Sequence, residues 1–392
     1  MIEVETGKPI WAMGFMTGTS MDGVDGATLL TDGETIFEFG PAEYEAFTAH
    51  HRLSIERAIA WATSMPTSDL KIAKQQSFKD IVEIRALTET LDETIARSVI
   101  NLSSQSQQQT NAPRGGEIAG VHGQTISHRP DEGLTIQIGV TPKCCPVACV
   151  QDFRTADVAT GGEGAPLAPF YHFALAKFIG ALHPIAFLNI GGVGNVTWVD
   201  PSKSVPSAEG ALVAFDTGPG NALIDDWIGA LTSADMDLNG TSAGLGTVHV
   251  DRLNSNSAQA YLDRRPPKSL DRNDFHGVLA AMEGLSVNDG AATLTAFTAQ
   301  CVAESVHHMP SPPTRWLVCG GGRHNKTMMR MLQDCLDAPV EPVEAVGLDG
   351  DMLEAQAFAY LAVRVLRGLP TSAPSTTGCR EPVCGGRISY PT

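Results

Sequence analysis

The sequence predicts an α/β protein of two lobes with a ligand cleft between them. Three observations lead there. Short apolar runs of strand character alternate with segments of helical periodicity. A unit of strand, glycine turn and return strand occurs twice, at 11–30 and at 185–199. The length of 392 residues allows two or three domains of about 150 residues each.

The elements follow in order. Residues 11–16 read as a strand, 17–22 as a tight polar turn and 24–30 as the return strand. Across 71–100, Phe78, Ile81, Val82, Leu87, Leu91 and Ile95 recur at helical spacing, which predicts one long amphipathic helix. The stretch 103–116 is rich in Ser, Gln and Gly and predicts a surface loop. Strands are predicted at 117–121, 135–140 and 147–150, the first opening onto a turn at 122–125. A second half begins near 166–169. There, strands at 185–190 and 196–199 flank a glycine turn at 191–194, and a strand at 211–215 ends at Asp216. Helices are predicted at 221–231, 291–308, 325–335 and 351–366, with a strand at 316–319 and a turn at 320–322. The break near 168 gives lobes of 1–168 and 169–392, with the last helix and tail free to pack back on the first lobe.

Composition narrows the function. The net charge of −17 and the pI of 5.0 argue against nucleic acid or an anionic membrane as partner, because like charge repels. With 43% hydrophobic and 18% charged residues the chain is globular. No apolar run approaches the roughly 18 residues of a transmembrane helix. The first nine residues lack a basic segment followed by an apolar one, so no secretory signal is expected. The eight cysteines form neither a CxxC pair nor a Cys/His metal spacing, which predicts a reduced, cytoplasmic compartment. The 39 glycines, about 10% of the chain against a usual 7% or so, cluster in short motifs.

Five motifs carry possible chemistry. In Thr17, Gly18, Thr19, Ser20, Met21, Asp22, Gly23, Val24 and Asp25, freed amides and hydroxyls can wrap phosphate oxygens. A carboxylate of that turn, Asp22, can hold Mg²⁺ through water. The alternative is an ordinary polar hairpin. In 215–221, Asp216 stands at a strand end as a candidate general base, with Gly218 and Gly220 before a helix N-terminus; the alternative is an N-capping Asp. In 319–325, three glycines between strand and helix permit close approach of a flat ring or a phosphate. In 151–166, two carboxylates flank Arg154, which either clamps a substrate carboxylate or forms an internal ion pair. His122 and Gln124 suit sugar hydroxyls or are satisfied within the structure. The GxxxxGK[ST], HRD, DFG and HExxH signatures are absent. A formal GxSxG at 240–244 follows a polar turn and not the strand that an esterase elbow needs.

Taken together the motifs resemble the anhydro-N-acetylmuramic acid kinase family, of the sugar kinase/Hsp70/actin superfamily. The resemblance keeps its order over nearly the whole chain. It runs through GTSMDGVD (18–25), HGQTISHRP (122–130), DFRTADVATGGEGAPLAPFYH (152–172) and LNIGGVGNVT (188–197). It continues through FDTGPGN (215–221), PPKSLDRNDF (266–275), CGGGRHN (319–325) and EAQAFAYLA (354–362). It implies two actin-like (ribonuclease H-like) lobes with an interlobe active-site cleft. It also implies ATP and Mg²⁺, an amino-sugar substrate and a possible homodimer. The implied reaction opens the 1,6-anhydro ring with water and phosphorylates O6, giving N-acetylmuramic acid 6-phosphate and ADP in peptidoglycan recycling. Asp216 is then the general base. Residues 18–25 hold the phosphates, and Gly320, Gly321 and Gly322 lie against adenosine, with Gly192, Asn195, Gly218, Gly220 and Asn325 nearby. Arg154, Glu354, His122 and Gln124 contact the sugar. Two departures stand out: Glu163 where the family usually has Gln, and Asp349-Gly350-Asp351 before the last helix. Another small-sugar kinase of this fold, or a catalytically dead nucleotide-binding scaffold, are the alternatives.

Overall fold

β1 (Ile10–Met16) is buried at its first six positions, as a strand inside a sheet must be. A computed structural model of the chain describes residues 7–18, 20–110, 116–139, 147–253, 256–270 and 274–391. In it, β1 is followed by β2 (Gly23–Thr31) and β3 (Ile36–Ala46), an antiparallel meander. Then come α1 (Ala49–Ser64), α2 (Thr67–Gln75), α3 (Val82–Thr110), β4 (Ile118–Val121), β5 (Gln124–Arg129), β6 (Leu134–Ile138), β7 (Ala148–Gln151), α4 (Thr155–Ala159) and α5 (Pro169–Phe178). A second meander is built from β8 (Ile185–Ile190), β9 (Val193–Val199) and β10 (Leu212–Pro219). It is followed by α6 (Ala222–Leu231), α7 (Thr241–Leu245), α8 (Asn256–Leu262), α9 (Val287–Ser305), β11 (Trp316–Cys319), α10 (Lys326–Cys335) and β12 (Val340–Pro342). The last described elements are α11 (Leu353–Leu366), α12 (Pro374–Thr377) and β13 (Arg387–Ser389).

The chain divides into two compact units: Met1–Phe178 with Met352–Thr392, and Ile179–Asp351. The sheet of the first unit has the order β13-β7-β4-β1-β2-β3, with β1, β4 and β7 parallel. The sheet of the second has the order β10-β9-β8-β11-β12, with β8, β11 and β12 parallel. Leaving β13 aside and counting within each sheet, both read third, second, first, fourth, fifth. The repeat anticipated from the two glycine turns is therefore a repeat of sheet topology, and the α/β class stands. Each unit has its own core. Phe15, Val24, Leu91 and Ile136 belong to the first, and Leu188, Phe215 and Trp316 to the second.

Several expectations are corrected. The single helix at 71–100 is two, because Ser77 and Phe78 both take left-handed φ, 53° and 55°. The Phe78 amide reaches back to the Ala73 carbonyl at 2.9 Å, which ends α2, and the Phe78 ring packs edge-on against Trp61. The loop expected at 103–116 is helical as far as Thr110, where α3 keeps burying Leu102 and Ser106; residues 111–115 lie outside the described residues. The strand expected at 135–140 ends at Ile138, and residue 140 lies outside the described residues. The division falls after Phe178 and not near 168. α5 sits in the first unit, where the Tyr171 hydroxyl donates to Gln356 of α11 at 2.8 Å. α11 itself lies against the first sheet: a Cβ on Gly14 would stand 1.8 Å from the Ala355 carbonyl oxygen, and one on Gly120 2.1 Å from that of Phe358.

Candidate active site

In the second unit, Asp216 lies on β10 opposite Asn195 of β9, where a bulge shifts the register between Asp216 and Gly218. Its carboxylate is held on both oxygens: Oδ1 accepts from Asn195 Nδ2 at 2.7 Å, and Oδ2 from the Leu270 amide at 2.8 Å. Its backbone is held as well. The Asp216 amide donates to the Lys268 carbonyl at 3.0 Å, and the Tyr261 hydroxyl donates to the Asp216 carbonyl at 2.8 Å. Lys268 is buried at 3% exposure and donates to the Tyr261 and Leu262 carbonyls at 3.3 and 3.0 Å. Its ammonium lies 4.7 Å from the Tyr261 ring centroid. Burial, with Arg264 adding, lowers the Lys268 pKa to about 8. Burial, with Asp216 adding, raises that of Tyr261, so this phenol stays a donor. Sequence reasoning found the 266–275 motif without these two roles. Residues 271–273 of it lie outside the described residues.

Three glycine turns meet beside this strand. The Gly220 and Ala222 amides donate to the Gly192 carbonyl at 2.9 and 3.2 Å, and the Asn221 amide to the Gly191 carbonyl at 2.7 Å. Asn221 Nδ2 donates to the Ile190 carbonyl at 3.3 Å and lies 3.8 Å from a Cβ built on Gly321. Not every glycine here faces open space. A Cβ on Gly220 would be 2.2 Å from the Gly191 oxygen, on Gly320 2.2 Å from Asn189 Oδ1, on Gly322 2.4 Å from Ile190 Cγ2 and on Gly218 2.7 Å from Cys301 Cβ. Those four are needed for packing. Gly192 and Gly321 are exposed, and their nearest neighbours to such a Cβ stand at 3.7 and 3.8 Å. Arg323 holds the triple-glycine turn by donating to the Gly320 carbonyl at 3.0 Å, and pairs with Glu344 and Asp351, both at 2.8 Å. Asn325, expected near the nucleotide, instead caps α10: its Oδ1 accepts the Met328 amide at 2.9 Å.

In the first unit, the turn after β1 contains Thr17, Gly18, Ser20, Met21 and Asp22; Thr19 lies outside the described residues. Met21 takes a left-handed φ of 53° and its amide donates to the Gly18 carbonyl at 3.3 Å. The Ser20 hydroxyl donates to Asp22 Oδ1 at 2.7 Å, while the Asp22 carbonyl accepts the Phe47 amide and the Tyr44 hydroxyl at 2.7 and 2.9 Å. The Thr17 hydroxyl is buried with no partner among the described residues, as a group awaiting a ligand would be. Gly23, Val24 and Asp25 already belong to β2. Val24 is fully buried in the core, and a Cβ on Gly23 would stand 2.4 Å from the Tyr44 ring, so both positions serve packing.

His122 and Arg154 form one assembly there. Arg154 Nε and Nη2 both lie at His122 Nε2, at 2.9 and 2.8 Å, and Nη1 donates to the Gly164 carbonyl at 2.8 Å. A guanidinium only donates, so His122 Nε2 accepts and the ring proton sits on Nδ1. Burial, then the Arg154 charge, keeps the His122 pKa well below the ordinary value, so the ring is neutral. Its Nδ1 is buried with no partner among the described residues, and so is Gln124 Oε1. One is a donor and the other an acceptor, which suits hydroxyl and amide groups. The ion pair considered for Arg154 is not formed: the Asp157 carboxylate accepts instead from the Gly164 amide and two hydroxyls, and Asp152 from Thr155. Glu354, exposed at the start of α11, is the acidic charge that acts most on Arg154.

Taken by itself, the second unit holds a carboxylate fixed on both oxygens and two exposed glycines, and the first holds buried polar atoms without a partner among the described residues. Residues 11–391 match the family model described as anhydro-N-acetylmuramic acid kinase. The anhydro-N-acetylmuramic acid kinase of Ruegeria sp. is 47% identical over 98% of this chain and 96% of its own length. That of Rhodospirillum rubrum is 46% identical over 97% and 95%, and that of Zymomonas mobilis 42% identical over 97% and 99%. The chain belongs to the anhydro-N-acetylmuramic acid kinase family, phosphotransferases with an alcohol group as acceptor. Among solved structures, an activator of 2-hydroxyisocaproyl-CoA dehydratase from Clostridium difficile with bound ADPNP covers 92% of this chain and 96% of its own at 10% identity and a TM-score of 0.44. A ROK family glucokinase from Streptomyces griseus covers 90% and 99% at 12% and 0.38. No helix among the described residues is long and apolar enough to cross a membrane.

Proposed function

We propose that this chain uses ATP to open 1,6-anhydro-N-acetylmuramic acid with water and to phosphorylate O6, releasing N-acetylmuramic acid 6-phosphate and ADP. The observation that carries this reading is Asp216, whose two oxygens are fixed by Asn195 Nδ2 and the Leu270 amide. Asp216 takes a proton from water as the water oxygen bonds to the anomeric carbon. The C1–O6 bond breaks, O6 attacks the γ-phosphorus, and the bond to the β-phosphate oxygen breaks to leave ADP. A single positioned carboxylate supplies the only proton transfer; the rest is orientation and charge stabilisation.

The amides of Gly18 and Ser20, with the Thr17 hydroxyl, serve the phosphates. Gly192 and Gly321, which have room above them, serve the nucleotide. Arg154 meets the lactyl carboxylate of the sugar, with His122 Nδ1–H, Gln124 Oε1 and Glu354 at its polar groups. No group of three or more His, Cys, Asp or Glu side chains among the described residues is placed to hold a metal ion. In this reading Mg²⁺ arrives with ATP and Asp22 would meet it through water. Bound there, the ion would neutralise phosphate charge. The test is incubation with ATP, Mg²⁺ and the anhydrosugar in ¹⁸O-water, followed by mass spectrometry. The reading expects one ¹⁸O at the anomeric position of a phosphorylated product. Phosphorylation without that label would refute coupled ring opening, and ATP binding without any ADP would favour a scaffold.

A further inference from the structure

The C-terminal segment 370–385, which none of the motifs covers, grips a loop beside Arg154. Asp157 of α4 is fully buried, and its carboxylate meets only neutral donors. Oδ1 accepts the Gly164 amide at 2.7 Å. Oδ2 accepts the Ser372 and Thr377 hydroxyls at 2.5 and 2.6 Å, both from the C-terminal segment. A carboxylate without water must have its lone pairs filled, so the segment and the loop are locked to it together. The loop is fixed from the backbone as well. The Glu163 amide donates to the Thr377 carbonyl at 2.7 Å, the Gly162 amide to the Asp157 carbonyl at 3.0 Å, and the Arg380 amide to the Thr160 carbonyl at 3.3 Å. A Cβ on Gly162 would stand 2.1 Å from Asp157 Oδ1 and 2.9 Å from Cys379 Cβ, so the three strands of chain are in tight contact. The loop then delivers the Gly164 carbonyl to Arg154 Nη1 at 2.8 Å.

We propose that the C-terminal segment is part of the sugar-binding apparatus, with Asp157, Ser372 and Thr377 as positioning residues that set Arg154 through the Gly164 carbonyl. This rests on the reading of Arg154 as the partner of the substrate's carboxylate. The segment acts on the sugar alone and leaves the nucleotide turns untouched, because every contact in the chain of bonds lies among residues 154–164 and 372–380.

The experiment compares Thr377→Val, Ser372→Ala and Thr377→Ser in the full chain, measuring KM for ATP and for the anhydrosugar separately, with thermal unfolding alongside. Thr377→Val is expected to raise the anhydrosugar KM about tenfold, a consequence of sub-ångström misplacement, with ATP KM within about twofold. Ser372→Ala, which leaves two donors on Asp157, shifts it in the same direction by less and guards against a Thr377→Val that fails to fold. Thr377→Ser restores the hydroxyl and the wild-type KM. An unchanged anhydrosugar KM in both deletion variants overturns the proposal, as does an equal rise in both KM values. Arg154→Ala is run in parallel. If it too leaves the anhydrosugar KM unchanged, the assignment of Arg154 has failed; if it raises that KM while the segment variants do not, only the positioning role has failed.

Discussion

Replacing Asp216 with Asn separates chemistry from structure at the residue that matters most. The change is isosteric and turns one acceptor oxygen into an NH₂ donor. The Leu270 amide, one of the donors that face the carboxylate, cannot turn round, so the Asn oxygen must stay on that side. The new NH₂ then faces Asn195, whose amide can flip and present its own oxygen. Both of these hydrogen bonds survive, but each changes from charge-assisted to neutral, a cost of about 1 kcal/mol apiece. The fold and ATP binding should therefore persist. Loss of a general base costs about 10²–10⁴ in rate, roughly 3–5 kcal/mol of barrier. The assay is ADP release with the anhydrosugar at saturation, with ATP affinity measured by calorimetry on the same sample. If Asp216→Asn keeps more than about a tenth of wild-type kcat, some 1.4 kcal/mol, Asp216 is not the base.

Other consequences are as definite. Gly321→Ala meets nothing closer than 3.8 Å and should unfold at the wild-type temperature while raising KM for ATP; an unchanged KM would remove Gly321 from the nucleotide site. Gly220→Ala would drive a Cβ to 2.2 Å from a backbone oxygen and should destabilise by at least about 2 kcal/mol in urea unfolding. Lys268→Met removes the ammonium from the Tyr261 and Leu262 carbonyls, which keep the Arg264 amide and His308 Nε2, and should cost about 1 kcal/mol of stability, with a fall in kcat because the 261–270 segment braces Asp216. Stability should fall on acidification from about pH 6.5 toward 4. Burial pushes the His128 and His172 pKa values down to about 4 and 3, with Arg154 adding at His128. The unfolded chain takes up these protons first, so the stability they confer is complete above about 6.5. His172→Gln should flatten the dependence of the urea midpoint between pH 7.5 and 5.5, and an unaltered slope would count against it.

Much of this was readable from residue order because strand, glycine turn and strand are local signals. The strand ending at Asp216, the turn at Gly18 and the paired strands β1–β2 and β8–β9 were found that way; β3 was not. What failed was decided by contacts distant in sequence. The break after α2 depends on Phe78 reaching Trp61, and nothing in the periodicity of 71–100 announces two successive left-handed residues. The membership of α11 in the first unit was anticipated, as a helix free to pack back, but the contact that makes it so, its backbone lying on Gly14 and Gly120 more than 200 residues earlier, was not. The partners of Arg154 were misjudged for a similar reason. Asp157 looks like its natural ion-pair partner at three residues' distance, but Ser372 and Thr377 satisfy that carboxylate first. Gln-rich 103–110 reads as loop by composition, although glutamine forms helices well and the burial of Leu102 and Ser106 extends α3.

The glycine clusters show most sharply what composition can and cannot carry. Chemically identical residues divide by what a Cβ would strike. At Gly218, Gly220, Gly320 and Gly322 it would strike the protein, so these positions are glycine whatever binds nearby. At Gly192 and Gly321 it would not, so a requirement for glycine there has to come from a ligand. The unusual Asp349-Gly350-Asp351 run belongs to the same argument. Asp351 pairs with Arg323 at 2.8 Å, and Gly350 leaves room for that guanidinium, whose Nε would lie 2.4 Å from a Cβ. Arg323 in turn holds the Gly320 carbonyl. The departure therefore acts on the triple-glycine turn. Asp351→Asn should change KM for ATP and leave KM for the anhydrosugar alone; the opposite pattern would return this run to the sugar side.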